Sequence, residues 1–120
     1  MIVKEIIWLD KLYREAEVII TDSIVDVVCF SCPCKYAVYQ EISTPLNCLD
    51  IENIITEDNE GWRIERIGEY EYQMQGQLIS KEKGLIRVGG FLFRFEEKRL
   101  PGDVKDGNFI SFFCPRIDLW

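Results

Sequence analysis

The chain has 120 residues, of which 48% are hydrophobic and 29% are charged, and its formal net charge is −7 at pH 7. This composition excludes an intrinsically disordered chain and is typical of a globular protein. No run of about 18 apolar residues occurs, so no membrane association is expected, and the length predicts one domain over residues 1–120.

The first thirty residues are predicted to form three strands. Residues 2–9 fit both a strand and a helical spacing of apolar side chains, and a strand is the favoured interpretation. Residues 15–21 and 24–30 are rich in β-branched side chains, which pack well on a pleated sheet. The short Asp22-Ser23 turn between them predicts a hairpin.

The middle of the chain combines an unassigned segment with the densest run of acids. Pro33 and Pro45 bracket residues 34–42, which could form one or two turns of helix or an irregular loop. Residues 50–57 alternate as a strand does and then run into an acidic turn. The acids of this run are Asp50, Glu52, Glu57, Asp58 and Glu60.

This acidic run has two interpretations. Residues 1–60 hold 12 of the 21 acids of the chain but only 4 of its 14 bases. Acids along a strand edge commonly stay solvated and discourage strand-to-strand aggregation, which is the simpler interpretation. The alternative is a docking patch for a basic protein partner, because complementary charges steer association. The five acids are therefore the predicted partner-binding residues.

The second half of the chain predicts a series of short strands. The predicted elements, in order, are strands at residues 70–80, 85–88 and 91–95, a turn-rich stretch at 100–108, and a last strand at 109–113 that could reach residue 119. Phe91, Phe93 and Phe95 recur at a spacing of two, which places the three rings on one face of a strand. That face is expected to be buried.

Glycines and turns follow a distinct order in this half. The features are Gly76 in mid-strand, Gly89-Gly90, Pro101-Gly102-Asp103, Gly107-Asn108 and the tail Arg116-Ile117-Asp118-Leu119. Residues 15–120 thereby resemble small bacterial OB-fold-like barrel proteins of unassigned function. The resemblance implies an all-β, OB-fold-like closed or partly open barrel of about six to eight short antiparallel strands, in which a mid-strand glycine permits the coiling needed for closure.

OB-folds often bind single-stranded nucleic acid, which requires a basic groove with outward-facing aromatic rings. The second half offers three aromatics, Trp62, Tyr70 and Tyr72, near six bases: Arg63, Arg66, Arg87, Arg94, Lys98 and Arg99. The net charge of −7 opposes phosphate binding, because that affinity comes from cationic contacts. We therefore expect no nucleic-acid partner.

Five cysteines are present, and their spacing is unlike a secreted disulfide framework. An acid directly before the first apolar patch is also unlike a secretory signal, so we expect reduced thiols and a cytoplasmic location. Cys29, Cys32 and Cys34 could bind zinc with a fourth thiolate from Cys48 or Cys114. The sequence lacks a second close pair of cysteines, and the two-residue period of a strand would place Cys29 and Cys32 on opposite faces of it. A structural role is favoured, with Cys34, beyond Pro33, the cheapest to replace, and zinc is the alternative.

Catalysis finds little support in the sequence. The chain has no histidine, which removes the usual general base near neutral pH and the nucleophile triads that depend on it. No catalytic residue and no cofactor are therefore assigned. The sequence predicts a small acidic, non-enzymatic protein-interaction or inhibitory (immunity-like) module, and its alternative is the thiolate zinc domain of Cys29, Cys32 and Cys34.

Overall fold

Eleven strands make up the regular structure of this computed structural model, which describes residues 1–96 and 100–120. The strands are β1 (Ile2–Asp10), β2 (Glu15–Thr21), β3 (Asp26–Ser31), β4 (Leu46–Leu49), β5 (Glu52–Glu57), β6 (Arg63–Arg66), β7 (Tyr72–Ser80), β8 (Leu85–Val88), β9 (Phe91–Arg94), β10 (Phe109–Cys114) and β11 (Arg116–Asp118). No helix occurs in the described ranges, so none there could cross a membrane. The all-β prediction is confirmed.

All eleven described strands belong to one mixed sheet. Ten of them follow the order β1-β2-β3-β11-β4-β9-β8-β7-β10-β5, and β6 pairs with β7 beside β8. The sheet is not closed, because β1 and β5 are its terminal strands. The pairs β11–β3 and β4–β9 are parallel. The expected barrel of six to eight antiparallel strands, closed or partly open, is therefore wrong in strand number and strand direction, and its closed form is wrong as well. The short strands β4, β6 and β11 leave no local pattern from which they could be counted.

The first three strands form where the sequence places them. β1 and β2 are antiparallel, and so are β2 and β3, which confirms the strand assignment of residues 2–9 and the predicted hairpin. The hairpin turn is longer than Asp22-Ser23, because β3 begins only at Asp26. The Asp22 carboxylate accepts hydrogen bonds from the backbone of Ile24 (2.9 Å) and Val25 (2.8 Å), and these bonds close the wider turn.

Residues 34–42 form an irregular loop and no helix, which decides between the two alternatives. The loop runs along the outer edge of β1, and backbone bonds from Tyr39 to Val3, from Val3 to Gln40 and from Ile42 to Met1 hold it there. Because the backbone groups of the loop are satisfied by β1, the segment does not need a helix of its own.

The core draws on both halves of the chain. Phe91 and Phe93 are fully buried and Phe95 nearly so, as the spacing of the three rings predicts. The Phe91 and Phe93 centroids lie 5.8 Å apart. Tyr72, also buried, accepts a hydrogen bond from the Val28 backbone on its hydroxyl (3.0 Å), which ties β7 to β3. The core is therefore one unit shared by the two halves.

Gly76 lies where β7 and β8 approach closely. A Cβ atom at this position would stand 2.3 Å from the Arg87 carbonyl oxygen on the neighbouring strand. Glycine at this position is thus required by a close backbone approach between two strands, and not by the closure of a barrel.

Truncation of Phe93 tests the assignment of the buried face. Phe93→Ala should lower the free energy of unfolding by roughly 3 to 5 kcal/mol, the usual range for a large buried aromatic. Arg94 is exposed on the same strand, so Arg94→Ala is the matched control and should cost much less. Urea denaturation of both variants gives the comparison, and equal losses would contradict the assignment.

Candidate interaction surface

The five predicted partner-binding acids lie together at one end of the sheet. Glu52 and Glu57 belong to β5, Asp50 precedes this strand, and Asp58 and Glu60 follow it. Glu57 is half-buried, and the other four are exposed. We call this set of five residues the acidic edge. The structure thus brings the predicted residues onto a single terminal strand and its flanks.

β5 is paired on one side only within the described part of the chain, where its partner is β10. The register shifts opposite Ser111 to Phe113, and Asn53 takes a positive φ of 55° at this bulge. Asparagine tolerates that conformation better than most residues. Past the bulge, Ile55 is exposed over 56% of its surface. The edge therefore offers a short regular segment, residues 55–57, to which an extended peptide could add.

Most of the negative charge on the acidic edge is not neutralised within the described structure. Ser111 donates its hydroxyl hydrogen to Glu57 at 2.7 Å, so one oxygen of this carboxylate is used inside the sheet. The side chains of Glu52, Asp58 and Glu60 make no hydrogen bond or ion pair with another residue of the described ranges. The surface at this end of the sheet is consequently anionic and open to a partner.

A groove of about 280 Å³ lies beside the acidic edge. We call it the Trp62 groove, and its lining residues are Ile24, Glu60, Trp62, Gln77, Arg87, Gly89, Gly90 and Phe109. In the sequence, Trp62 stands out only as a candidate base-stacking residue, and no pattern there predicts the groove. The available signal was the Gly89-Gly90 pair, since adjacent glycines often mark a close approach.

One wall of the Trp62 groove is fixed by a buried amide. Gln75 Nε2 donates to the Asn59 carbonyl at 3.1 Å and to the Gly61 carbonyl at 3.0 Å. Asn59 Oδ1 also accepts from the Gly61 backbone at 2.7 Å. These bonds anchor the loop that carries Glu60 and Trp62 to β7, so both side chains start from a defined backbone.

The opposite wall is fixed by Asp22. Gly90 donates its backbone hydrogen to Asp22 Oδ2 at 3.0 Å, which connects the β8–β9 turn to the β2–β3 turn. Burial opposes the ionisation of Asp22, but hydrogen bonds from the backbone of Val25, Ile24 and Gly90 outweigh it and hold its pKa below the ordinary value. The ionised carboxylate therefore stabilises both turns.

The depressed pKa of Asp22 predicts a dependence of stability on pH. A group with a lowered folded-state pKa stabilises the protein above its unfolded pKa of about 4, and this contribution is lost as pH falls through the folded value. Asp22→Asn should lower the free energy of unfolding by about 1 kcal/mol at pH 7. The difference from the parent protein should shrink below about pH 4, and Glu82→Gln, in an exposed turn, is the control. Urea titrations at several pH values measure the difference in free energy of unfolding between Asp22→Asn and the parent protein. A difference that does not change with pH would contradict the role of Asp22.

The thiols proposed as alternative zinc ligands are not assembled into a site. Cys29 and Cys34 are buried, Cys32 is exposed, and the described ranges contain no group of three or more His, Cys, Asp or Glu that could hold a metal ion. Burial raises the pKa of the Cys29 and Cys48 thiols well above the ordinary value. Cys34, expected to be the cheapest to replace, is fully buried, because its backbone donates to Arg14 and draws the side chain inward.

Thiol reactivity and zinc content test this arrangement. Native protein purified without chelator should hold no stoichiometric zinc, and a thiol reagent should label Cys32 first, since Cys32 is exposed and buried thiols are inert. The other four cysteines should react only after unfolding. Elemental analysis and labelling followed by peptide mapping give the readout. About one zinc per chain with a chelator-sensitive melt would favour the zinc domain instead.

The candidate nucleic-acid residues do not form a stacking platform in the described structure. Tyr72 is buried, and Tyr70 packs on Phe30 and donates its hydroxyl hydrogen to Glu17, a bond that raises the pKa of Tyr70 to about 12. Trp62 is the exposed member of the three. Arg63, Arg66, Arg87 and Arg94 are exposed on three different strands, and Lys98 and Arg99 lie outside the described residues. The absence of a nucleic-acid partner stays a prediction.

No known protein family, no curated protein and no solved structure matches the chain. The resemblance to bacterial OB-fold-like proteins therefore stays a prediction without support from a relative.

Proposed function

We propose that the protein is a non-enzymatic interaction module, inhibitory (immunity-like) in kind, which binds a basic protein partner through the acidic edge. The observation that carries this proposal is the position of the five acids on a terminal strand and its flanks, with the side chains of Glu52, Asp58 and Glu60 unneutralised by other described residues. A cationic surface would supply the missing counter-charges. Such pairing mainly raises the association rate and makes binding sensitive to salt.

The backbone of β5 supports the same proposal. Past the register shift at Asn53, residues 55–57 have one described strand partner, so an extended segment of the partner could pair with the free side. The acids and the bulge also oppose pairing between two copies of this chain, since like charges would meet at the edge. A basic partner avoids that repulsion, and the same features therefore give selectivity.

Charge reversal on the acidic edge tests the proposal. Immobilised protein should capture a basic protein from an extract of its native cells at low salt and release it near roughly 0.3 M salt, where surface charges are strongly screened. The variant Glu52→Lys/Asp58→Lys should weaken binding of that protein by about tenfold or more, because repulsion replaces attraction.

The matched control is Glu82→Lys/Asp103→Lys, which changes the net charge equally at exposed positions outside the acidic edge. Both variants should melt within a few degrees of the parent protein, since surface changes rarely alter stability by more than about 0.5 kcal/mol. Equal binding by all three proteins, or equal loss in both variants, would contradict the proposal.

A further inference from the structure

The Trp62 groove has the properties of a prepared binding site. Trp62 keeps 45% of its surface exposed although it is among the largest apolar side chains. Its ring is held against Gly89, where a Cβ atom would lie 3.1 Å from two ring carbons. Gly89 also has a positive φ of 58°, so both the backbone conformation and the contact with the Trp62 ring disfavour a larger residue at this position. The ring is therefore a fixed platform beside an open groove.

The polar lining of the groove carries opposite charges that do not neutralise each other. Glu60 and Arg87 form no ion pair with each other or with another residue of the described ranges. Gln77 donates its Nε2 hydrogen to the Gly107 carbonyl at 3.3 Å, which leaves its Oε1 atom as an acceptor. The three groups are planar, and together they offer both donors and acceptors to a ligand.

These groups restrict the class of ligand. A cationic side chain would be attracted to Glu60 but repelled by Arg87, and a phosphate the reverse, so a ligand of one charge gains little net electrostatic energy from the two residues. A neutral ligand with several hydroxyls can donate to Glu60 and accept from Arg87 at the same time. The aromatic and aliphatic lining, Trp62, Phe109 and Ile24, requires that the same ligand also present an apolar face.

We propose that the Trp62 groove binds a neutral pyranose saccharide. Such a ring has an apolar C–H face, which stacks on Trp62, and a rim of hydroxyls, which hydrogen-bond to Glu60, Gln77 and Arg87. The volume of about 280 Å³ suits a small ligand that remains partly exposed to solvent. This site is separate from the partner-binding role of the acidic edge, although Glu60 belongs to both surfaces.

The test is a titration of ¹⁵N-labelled protein with a fixed panel of saccharides. The panel is methyl β-glucoside, methyl β-galactoside, N-acetylglucosamine, maltose and cellobiose, and the readout is the Trp62 indole N–H resonance with the backbone signals of Gly89 and Gly90. We expect at least one saccharide to shift these signals with a dissociation constant in the millimolar range, roughly 0.1 to 10 mM. N-acetyl-lysine methylamide and glucose 6-phosphate are the charged comparison ligands.

Substitutions inside and outside the Trp62 groove test whether the groove is the saccharide site. Trp62→Ala should weaken saccharide binding at least tenfold, Trp62→Phe should retain part of it, and Trp120→Ala, at another exposed tryptophan, should leave it unchanged. Arg87→Gln should weaken it several-fold. The amide signals of β7 and β10 show that each variant is folded. The proposal would be overturned if no saccharide of the panel shifted the signals, if Trp62→Ala still bound saccharide, or if either charged ligand bound more tightly. These outcomes do not depend on Glu52 or Asp58, so they are distinguishable from a failure of the partner-binding proposal.

Discussion

The continuity of the sheet depends on β11, a strand of three residues at the end of the chain. β11 lies between β3 and β4, parallel to the first at Asp118 opposite Phe30 and antiparallel to the second. Leu119 donates its backbone hydrogen to Phe30 (2.8 Å), and Ser31 donates its hydroxyl hydrogen to the Leu119 carbonyl (2.8 Å). Among the described strands, β1 to β3 join the rest of the sheet only through this insertion. The buried Ile117 and Leu119 add apolar burial to the same contact.

An open sheet has two terminal strands, and in this protein the free edges of the two are protected in different ways. Residues 34–42 cover part of β1 through backbone bonds with Met1 and Val3, so that edge is partly satisfied inside the molecule. β5 has no such cover in the described structure, and it carries a bulge and several acids instead. Both devices limit uncontrolled strand pairing. They differ in whether the edge can still bind a partner. The acids of β5 attract a basic surface, whereas the covered part of β1 is already hydrogen-bonded to the loop.

The Trp62 groove is formed by three turn or loop segments together with residues of β7, β8 and β10. Gln75, on β7, anchors the loop that carries Trp62, and Asp22, in the β2–β3 turn, binds the backbone of Gly90, so two side chains from distant parts of the chain fix the groove walls. Each is bonded to backbone groups, which makes the groove insensitive to rotamer changes elsewhere. The groove and the acidic edge meet at Glu60. A saccharide bound beside the docking surface would therefore occupy Glu60 and change the shape that a protein partner meets, and this links the two proposals physically.

The sequence by itself determined the class of the fold, the main hairpin and the buried ring face. Alternation along residues 70–80 and the spacing of Phe91, Phe93 and Phe95 report which face of a strand is buried, since that depends on period alone. The tertiary structure decided the rest. β4, β6 and β11 are three or four residues long, so no local period marks them, and β4 and β11 also pair with distant segments. The position of the acids on a terminal strand, the groove at Trp62 and the burial of Cys34 likewise follow from contacts between residues far apart in the chain, which a one-dimensional pattern does not contain.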